Sequence, residues 1–230
     1  MKHSDTTLGS APPPPAAARE WFGDQLGVVE RYASWLVGAG IERGIIGPRE
    51  RDRIWDRHLL NSAAVGRFIS PKSQVLDIGS GGGLPGLVLA LLGPTNQVTL
   101  LEPMLRRVEF LEQVVEDLQL TNVTVVRGRA DESAPALPTH FDVVTARAVA
   151  PLARLAAMAI PMVAAGGNVL ALKGTSAALE LVEAGPALDQ LGIWGRTIHE
   201  VEVAGTVTHI VDLAVPSGMS RRPQGGRGDQ

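Results

Sequence analysis

The stretch "VLDIGSGGGLPG" at positions 75–86 sets glycines at 79, 81, 82, 83 and 86 directly after a short apolar run. Glycine tolerates positive φ and puts no Cβ between backbone and ligand, and a helix starting after such a loop offers free N–H groups. A polar or anionic ligand end belongs there. Three loop chemistries compete. A triphosphate-binding loop would close on Gly-Lys-Ser/Thr, whereas Gly86 is followed by Leu87. Gly81, Gly83 and Gly86 fit the G-x-G-x-x-G template of dinucleotide sites, but so dense a cluster fits many templates. Asp77 followed by Gly79, Gly81 and Gly83 gives an acid at a strand end and then G-x-G-x-G, the pattern of S-adenosylmethionine loops. A carboxylate there suits the cofactor's amino-acid end, directly or through water, and would repel a pyrophosphate.

Two later positions complete an adenosine site. Glu102 ends the run "QVTLLEP", some twenty residues past the glycines, where a carboxylate accepts from both ribose hydroxyls. In "VVRGRADES", Ala130 and Asp131 fall where adenine would lie. A backbone N–H there could meet a ring nitrogen, and Asp131 could accept from the exocyclic amine. Asp131 serves equally well as a helix N-cap.

Acceptor chemistry is narrowed by what the chain lacks. With no cysteine, disulfides, thiolate metal sites and cysteine-activated methylation of pyrimidine C5 are all excluded. After the fourth apolar run "VVTARAVAP" carries no Asn/Asp-Pro-Pro-Tyr/Phe motif for exocyclic amines. Ring nitrogens, hydroxyls and small molecules remain. Guanine N7 attacks with an available lone pair and needs no general base, so no catalytic acid, base or metal is assigned. Acceptor contacts are suggested by "RERDRIWDRHLLNS": in an α-helix Arg49, Arg53 and Arg57 share one face. Asp52 and Asp56 could neutralise that face internally, or RNA phosphates could. Arg53, Arg57, His58 and Lys173 of "LALKG" are the candidate RNA contacts, with His58 equally suited to a core or helix-capping place. Trp21, Trp35 and Trp55 are expected in the core.

These residues need a scaffold. Residues 19–70 have helical spacing, as in Leu26, Val29, Tyr32, Ala33 and Leu36. From Pro71, short apolar runs at 74–78, 97–101, 123–126, 141–145 and 168–172 alternate with helical stretches at 84–92, 104–118, 152–163 and 177–191. That alternation predicts right-handed βαβ crossovers and a mostly parallel sheet. The last runs, 193–203 and 208–215, are separated only by "AGTV" and are expected to pair antiparallel. The fold class is therefore α/β: a Rossmann-like, class I methyltransferase with a seven-stranded, mostly parallel sheet and a helical N-terminal extension. One domain at 19–216 is expected between disordered tails at 1–18 and 217–230, both rich in small and polar residues. With no apolar run long enough to span a bilayer and no secretory signal, the expectation is a cytoplasmic monomer without membrane partners. A net charge of −3 makes any nucleic-acid contact local.

Taken in order, "WDRHLLNS", "VLDIGSGGGLPGLVLA", "LLEPMLRRVEFLEQV", "TARAVAPL" and "ALKG" resemble the RsmG (GidB) family of bacterial small-subunit rRNA guanine-N7 methyltransferases. The likeness runs from about Trp21 to Pro216. It implies S-adenosylmethionine-dependent methylation of N7 of a guanine in the 530 loop of 16S rRNA, on RNA or the 30S particle. It also implies cofactor contacts at Gly79, Leu84, Ala130, Asp131 and Arg147. Arg147 of "TARA" could otherwise pair with Asp77 or Glu102, and Asn61 stands where many members carry Asp. A small-molecule methyltransferase and a non-catalytic, ribosome-associated cofactor-binding module are the alternatives.

Overall fold

A computed structural model describes residues 8–130, 137 and 140–218. Its centre is a seven-stranded sheet: β1 Gln74–Ile78, β2 Gln97–Glu102, β3 Val123–Arg127, β4 Phe141–Arg147, β5 Val163–Lys173, β6 Gly195–Val203 and β7 Thr206–Ala214. The order is β3-β2-β1-β4-β5-β7-β6. Neighbours pair in parallel from β3 to β5, while β7 lies antiparallel to both β5 and β6. Only β7 is thus reversed, because a hairpin brings the chain back between β6 and β5. Order reverses beside β1, and the carboxyl ends of β1, β2, β4 and β5 present Ile78, Glu102, Arg147 and Lys173 along one edge.

Helices cover both faces, as buried parallel strands demand. One face takes α1 Ala16–Phe22, α2 Leu26–Trp35, an irregular helical run over 48–68 (α3), α4 Gly86–Leu92 and α5 Leu105–Asp117. On the other lie α6 Leu152–Ala159 and α7 Ala177–Gln190. Leu152, Leu155, Ala156 and Ala159 of α6 are all buried, the i, i+3, i+4, i+7 stripe of a helix packed on one side. Trp35 meets the Phe110 ring edge-on at 5.9 Å and donates its indole N–H to Asp117. Trp55 is buried, and Trp21 lies half-buried beneath the Arg67 guanidinium.

Several local expectations change. The first helix after the loop starts at Gly86 instead of Leu84, since Leu84-Pro85 belongs to the loop. The 48–68 run is not a regular α-helix: Pro48–Arg53 is a tight 3₁₀ segment and Ile54–Leu60 makes wide i→i+5 turns. Three residues per turn set Arg49 and Arg53 about 120° apart, so the shared face derived for an α-helix is lost, although both remain exposed. Finally, residues 8–15 of the Pro-rich stretch lie extended against the folded chain, and Ala16 already opens α1. Proline fixes φ at little entropic cost, and carbonyls of this segment accept from Arg51 (Ser10, 2.6 Å) and Trp55 (Pro12, 2.8 Å).

Candidate active site

The glycine loop is held from below by two buried carboxylates. Asp77 is fully buried and accepts the Gly86 N–H on Oδ2 at 3.0 Å, tying β1 to the start of α4. Its Oδ1 has no partner among the described residues. Burial pushes the Asp77 carboxyl up to about 7, against the pull of the Gly86 N–H. Glu102, also fully buried, takes the Gly81 N–H at 2.9 Å and the Met104 N–H at 3.0 Å, one on each oxygen. Each oxygen keeps a further lone pair that a ribose hydroxyl could use.

From above, the loop is fastened by the N-terminal helices. Tyr32 of α2 is wholly buried and donates its hydroxyl to the Gly82 carbonyl at 2.7 Å. Sequence reasoning placed Tyr32 on the helix's apolar stripe but found no role for its hydroxyl; its being the chain's one tyrosine was the only available sign. Tyr32→Phe would leave a buried carbonyl unpaired, and denaturant unfolding should register a loss of about 1–2 kcal/mol. An unchanged midpoint and slope would refute that coupling.

Gly79 and Gly81 adopt φ of +67° and +59°, and a Cβ at Gly79 would come within 2.9 Å of Val149. Gly79, Leu101, Ala130, Val149, Ala150 and Arg154 are among the residues lining a hollow of about 180 Å³ at the ends of β1 and β2. Gly79 and Ala130 therefore come together as the adenosine reading requires. Leu84 is buried in the same loop, its N–H on the Ser80 carbonyl. Asp131 lies outside the described residues.

A second cleft, of about 750 Å³, shares the Val149–Ala150 wall and is lined by Glu50, Arg57, His58, Asn61, Arg147 and Lys173 among others. Arg147 pairs with neither Asp77 nor Glu102. Its guanidinium donates to the Arg57 carbonyl at 3.1 Å and to His58 Nδ1 at 2.8 Å. His58 Nε2 in turn meets Glu50 at 2.8 Å, and Arg57 meets the other Glu50 oxygen at 3.2 Å. Burial and then the Arg147 charge push His58 down, while the bond from His58 holds Glu50 below the usual carboxylate range. His58 is thus enclosed by protein partners. Lys173 is too: only 8% of its side chain is exposed, and its ammonium donates to the Ala150 carbonyl at 2.9 Å and to Glu180 at 2.7 Å. Burial alone would raise Glu180, yet the Lys173 ammonium brings it below its ordinary value. Arg53 and Arg57 are exposed, and Asn61 donates to Thr208 at 2.8 Å.

A parallel sheet with one reversed strand, opened at a glycine turn beside its switch point, is the architecture of Rossmann-like S-adenosylmethionine-dependent methyltransferases. Solved structures agree on this fold. A SAM-dependent methyltransferase from Aquifex aeolicus superposes with a TM-score of 0.53 at 17% identity, covering 77% of this chain and 97% of that one. A methyltransferase from Pyrococcus furiosus gives 0.54 at 17% identity, with 66% and 80% covered. The chain belongs to the rRNA small subunit methyltransferase G (GidB) family, which it matches over residues 25–205. It is similar to the ribosomal RNA small subunit methyltransferase G of Thermobifida fusca, 47% identical with 93% of this chain and 94% of that one covered. The same protein of Mycolicibacterium gilvum is 45% identical, with 99% of each covered. The chain is accordingly an S-adenosylmethionine-dependent rRNA methyltransferase, and no helix among the described residues is long and apolar enough to cross a membrane.

Proposed function

We propose that the protein transfers the methyl group of S-adenosylmethionine to N7 of a guanine in the 530 loop of 16S rRNA. The cofactor fits the residues present. An orphaned buried carboxylate oxygen on Asp77 and a cradle at Gly79 that a Cβ would fill suit a ligand with a cationic amino-acid end and a flat adenosine. In this reading Gly79, Leu84, Glu102, Ala130, Asp131 and Arg147 hold the cofactor, and the exposed Arg53 and Arg57 meet RNA phosphates, Arg57 from the cleft's wall. When bound, the cofactor supplies an electrophilic sulfonium methyl, whose S–C bond breaks as the N7 lone pair forms the new N–C bond.

The observation that carries the N7 assignment is the state of the cleft's carboxylates. Glu50 is engaged by His58 and Arg57, Glu180 by Lys173, and Glu183 stands exposed. No base is poised in the cleft's interior among the described residues, and the His58 Nδ1 lone pair already receives Arg147. An acceptor that loses no proton fits this arrangement, because the positive charge leaving sulfur simply passes to the guanine ring.

The test is to incubate the full chain with radiolabelled S-adenosylmethionine and either 30S subunits or 16S rRNA lacking the modification, then map the labelled atom. Label on N7 of one guanine in the 530 loop is expected. Label on another atom would reject the site, and no label in RNA while the cofactor binds would reject the reaction.

A further inference from the structure

We infer that His58 is a positioning residue for Arg147, its ring anchored to Glu50 so as to aim the guanidinium into the acceptor cleft. The inference rests on the reading of Arg147 as a cofactor or base contact. Arginine has only donors, so His58 Nδ1 must accept from Arg147. The ring proton then sits on Nε2, where it donates to Glu50 at 2.8 Å. That bond fixes the tautomer and the ring plane. The Arg57 carbonyl supplies a second acceptor from the adjacent residue. Two acceptors on consecutive residues grip one edge of the planar fork, which leaves three of the five guanidinium N–H donors for a bound molecule.

The arrangement joins segments distant in the chain. Glu50, Arg57 and His58 all belong to α3, whereas Arg147 ends β4, 89 residues after His58. Because Arg57 also holds Glu50, the anchor is closed within α3 before Arg147 is added. The neutral ring is essential to the geometry. A proton on Nδ1 would turn the acceptor into a donor facing a guanidinium, and the bond would be lost.

The charged groups facing this ring are Glu50 and Arg57 from its own run and Arg147 from β4. Across the cleft Lys173 is taken up by Glu180, with Glu183 at the rim. Burial first, and Arg147 second, keep the ring's protonation below its ordinary 6.5. Arg147 is therefore held throughout the neutral range and released on the acid side.

The experiment measures kcat/KM for methyl transfer to unmodified 30S subunits from about pH 5.5 to 8.5, with cofactor affinity and thermal unfolding alongside, for wild type, Arg147→Ala, His58→Leu and His58→Asn. Leucine removes the acceptor and should lower kcat/KM on the order of 10- to 100-fold near neutral pH, the scale of a displaced contact group. Asparagine restores an acceptor at the place of Nδ1 but cannot titrate. It should recover most of the leucine variant's loss and lack the wild type's fall in rate on the acid side of the ordinary imidazole range. Should the leucine variant fail to fold, the asparagine variant alone decides. An asparagine variant with the wild-type acid limb, or as impaired as a folded leucine variant, would overturn the inference. So would a folded leucine variant with wild-type kinetics beside an impaired Arg147→Ala, which spares the reading of Arg147. Unchanged kinetics in Arg147→Ala would sink both.

Discussion

Replacing Asp77 by asparagine should flatten the pH dependence of the ligand-free protein's stability between about pH 5 and 8. Asp77 is fully buried, one oxygen holds the Gly86 N–H, and the other has no described partner. Burial therefore favours the protonated form, and the carboxyl titrates at about 7 in the folded chain against 3.8 as a free side chain. Between those values the folded state binds the extra proton, so stability is highest below 3.8 and is lost as pH rises through 7. The slope is about 1.4 kcal/mol per pH unit at its steepest, on the order of 2–3 kcal/mol between pH 5 and 8. Asparagine can keep the Gly86 bond through its carbonyl and carries no charge to desolvate. Denaturant unfolding at several pH values should show the wild type losing that much more than Asp77→Asn, and parallel curves would show that Asp77 is not the titrating group. The same substitution removes the counter-charge for the cofactor's ammonium. Calorimetry should find S-adenosylmethionine bound about tenfold more weakly, the scale of one hydrogen bond to a charged group.

The ends of the strands were the informative part of the sequence. Asp77, Gly79, Glu102 and Ala130 were legible because a parallel sheet delivers strand ends to one edge, and strand ends can be read from local apolar runs. The residues between the motifs were harder. The apolar spacing of Ile54, Trp55, His58, Leu59 and Leu60 is compatible with an α-helix, and nothing local signals that these residues adopt wide turns. The segment packs against α1 and α2, which its own sequence does not announce. The partnership of His58 with Arg147 was likewise hidden, since neither residue carries a mark of a contact formed 89 positions away. Lys173 illustrates the converse. A lysine at a strand end invites a phosphate contact, yet its ammonium is consumed in fastening the Ala150 turn that separates the two cavities. Charge type was visible in the sequence, and the partner was not.

Gly86→Ala should destabilise the protein by roughly 3 kcal/mol, the reverse of what a helix substitution normally does. Gly86 is the first residue of α4, and its φ is ordinary, so conformational strain is not the issue. Helix propensity alone would favour alanine by up to about 1 kcal/mol. Space decides otherwise. A Cβ at Gly86 would collide with Leu100 Cδ2 and lie 2.7 Å from Asp77 Oδ2. Both neighbours are fully buried strand residues of β1 and β2, and neither can swing away. The alternative is for α4 to lift from the sheet, which stretches the Gly86 N–H bond to Asp77. Overpacking of a tight core typically costs about 1–3 kcal/mol. Weakening a buried hydrogen bond to the Asp77 carboxyl adds about 1–2 kcal/mol. For a domain of this size the sum corresponds to a melting temperature roughly 6–12 °C lower. The displacement would also move the glycine loop, so cofactor affinity should fall with stability. Thermal unfolding of the two proteins at one pH settles the sign: a variant melting at or above the wild-type temperature would mean that α4 does not press on Asp77. With the expected sign, the Leu84-Pro85-Gly86 extension acquires a physical meaning. It brings the chain into α4 so close beneath the loop that only a residue without a side chain fits against the buried acid.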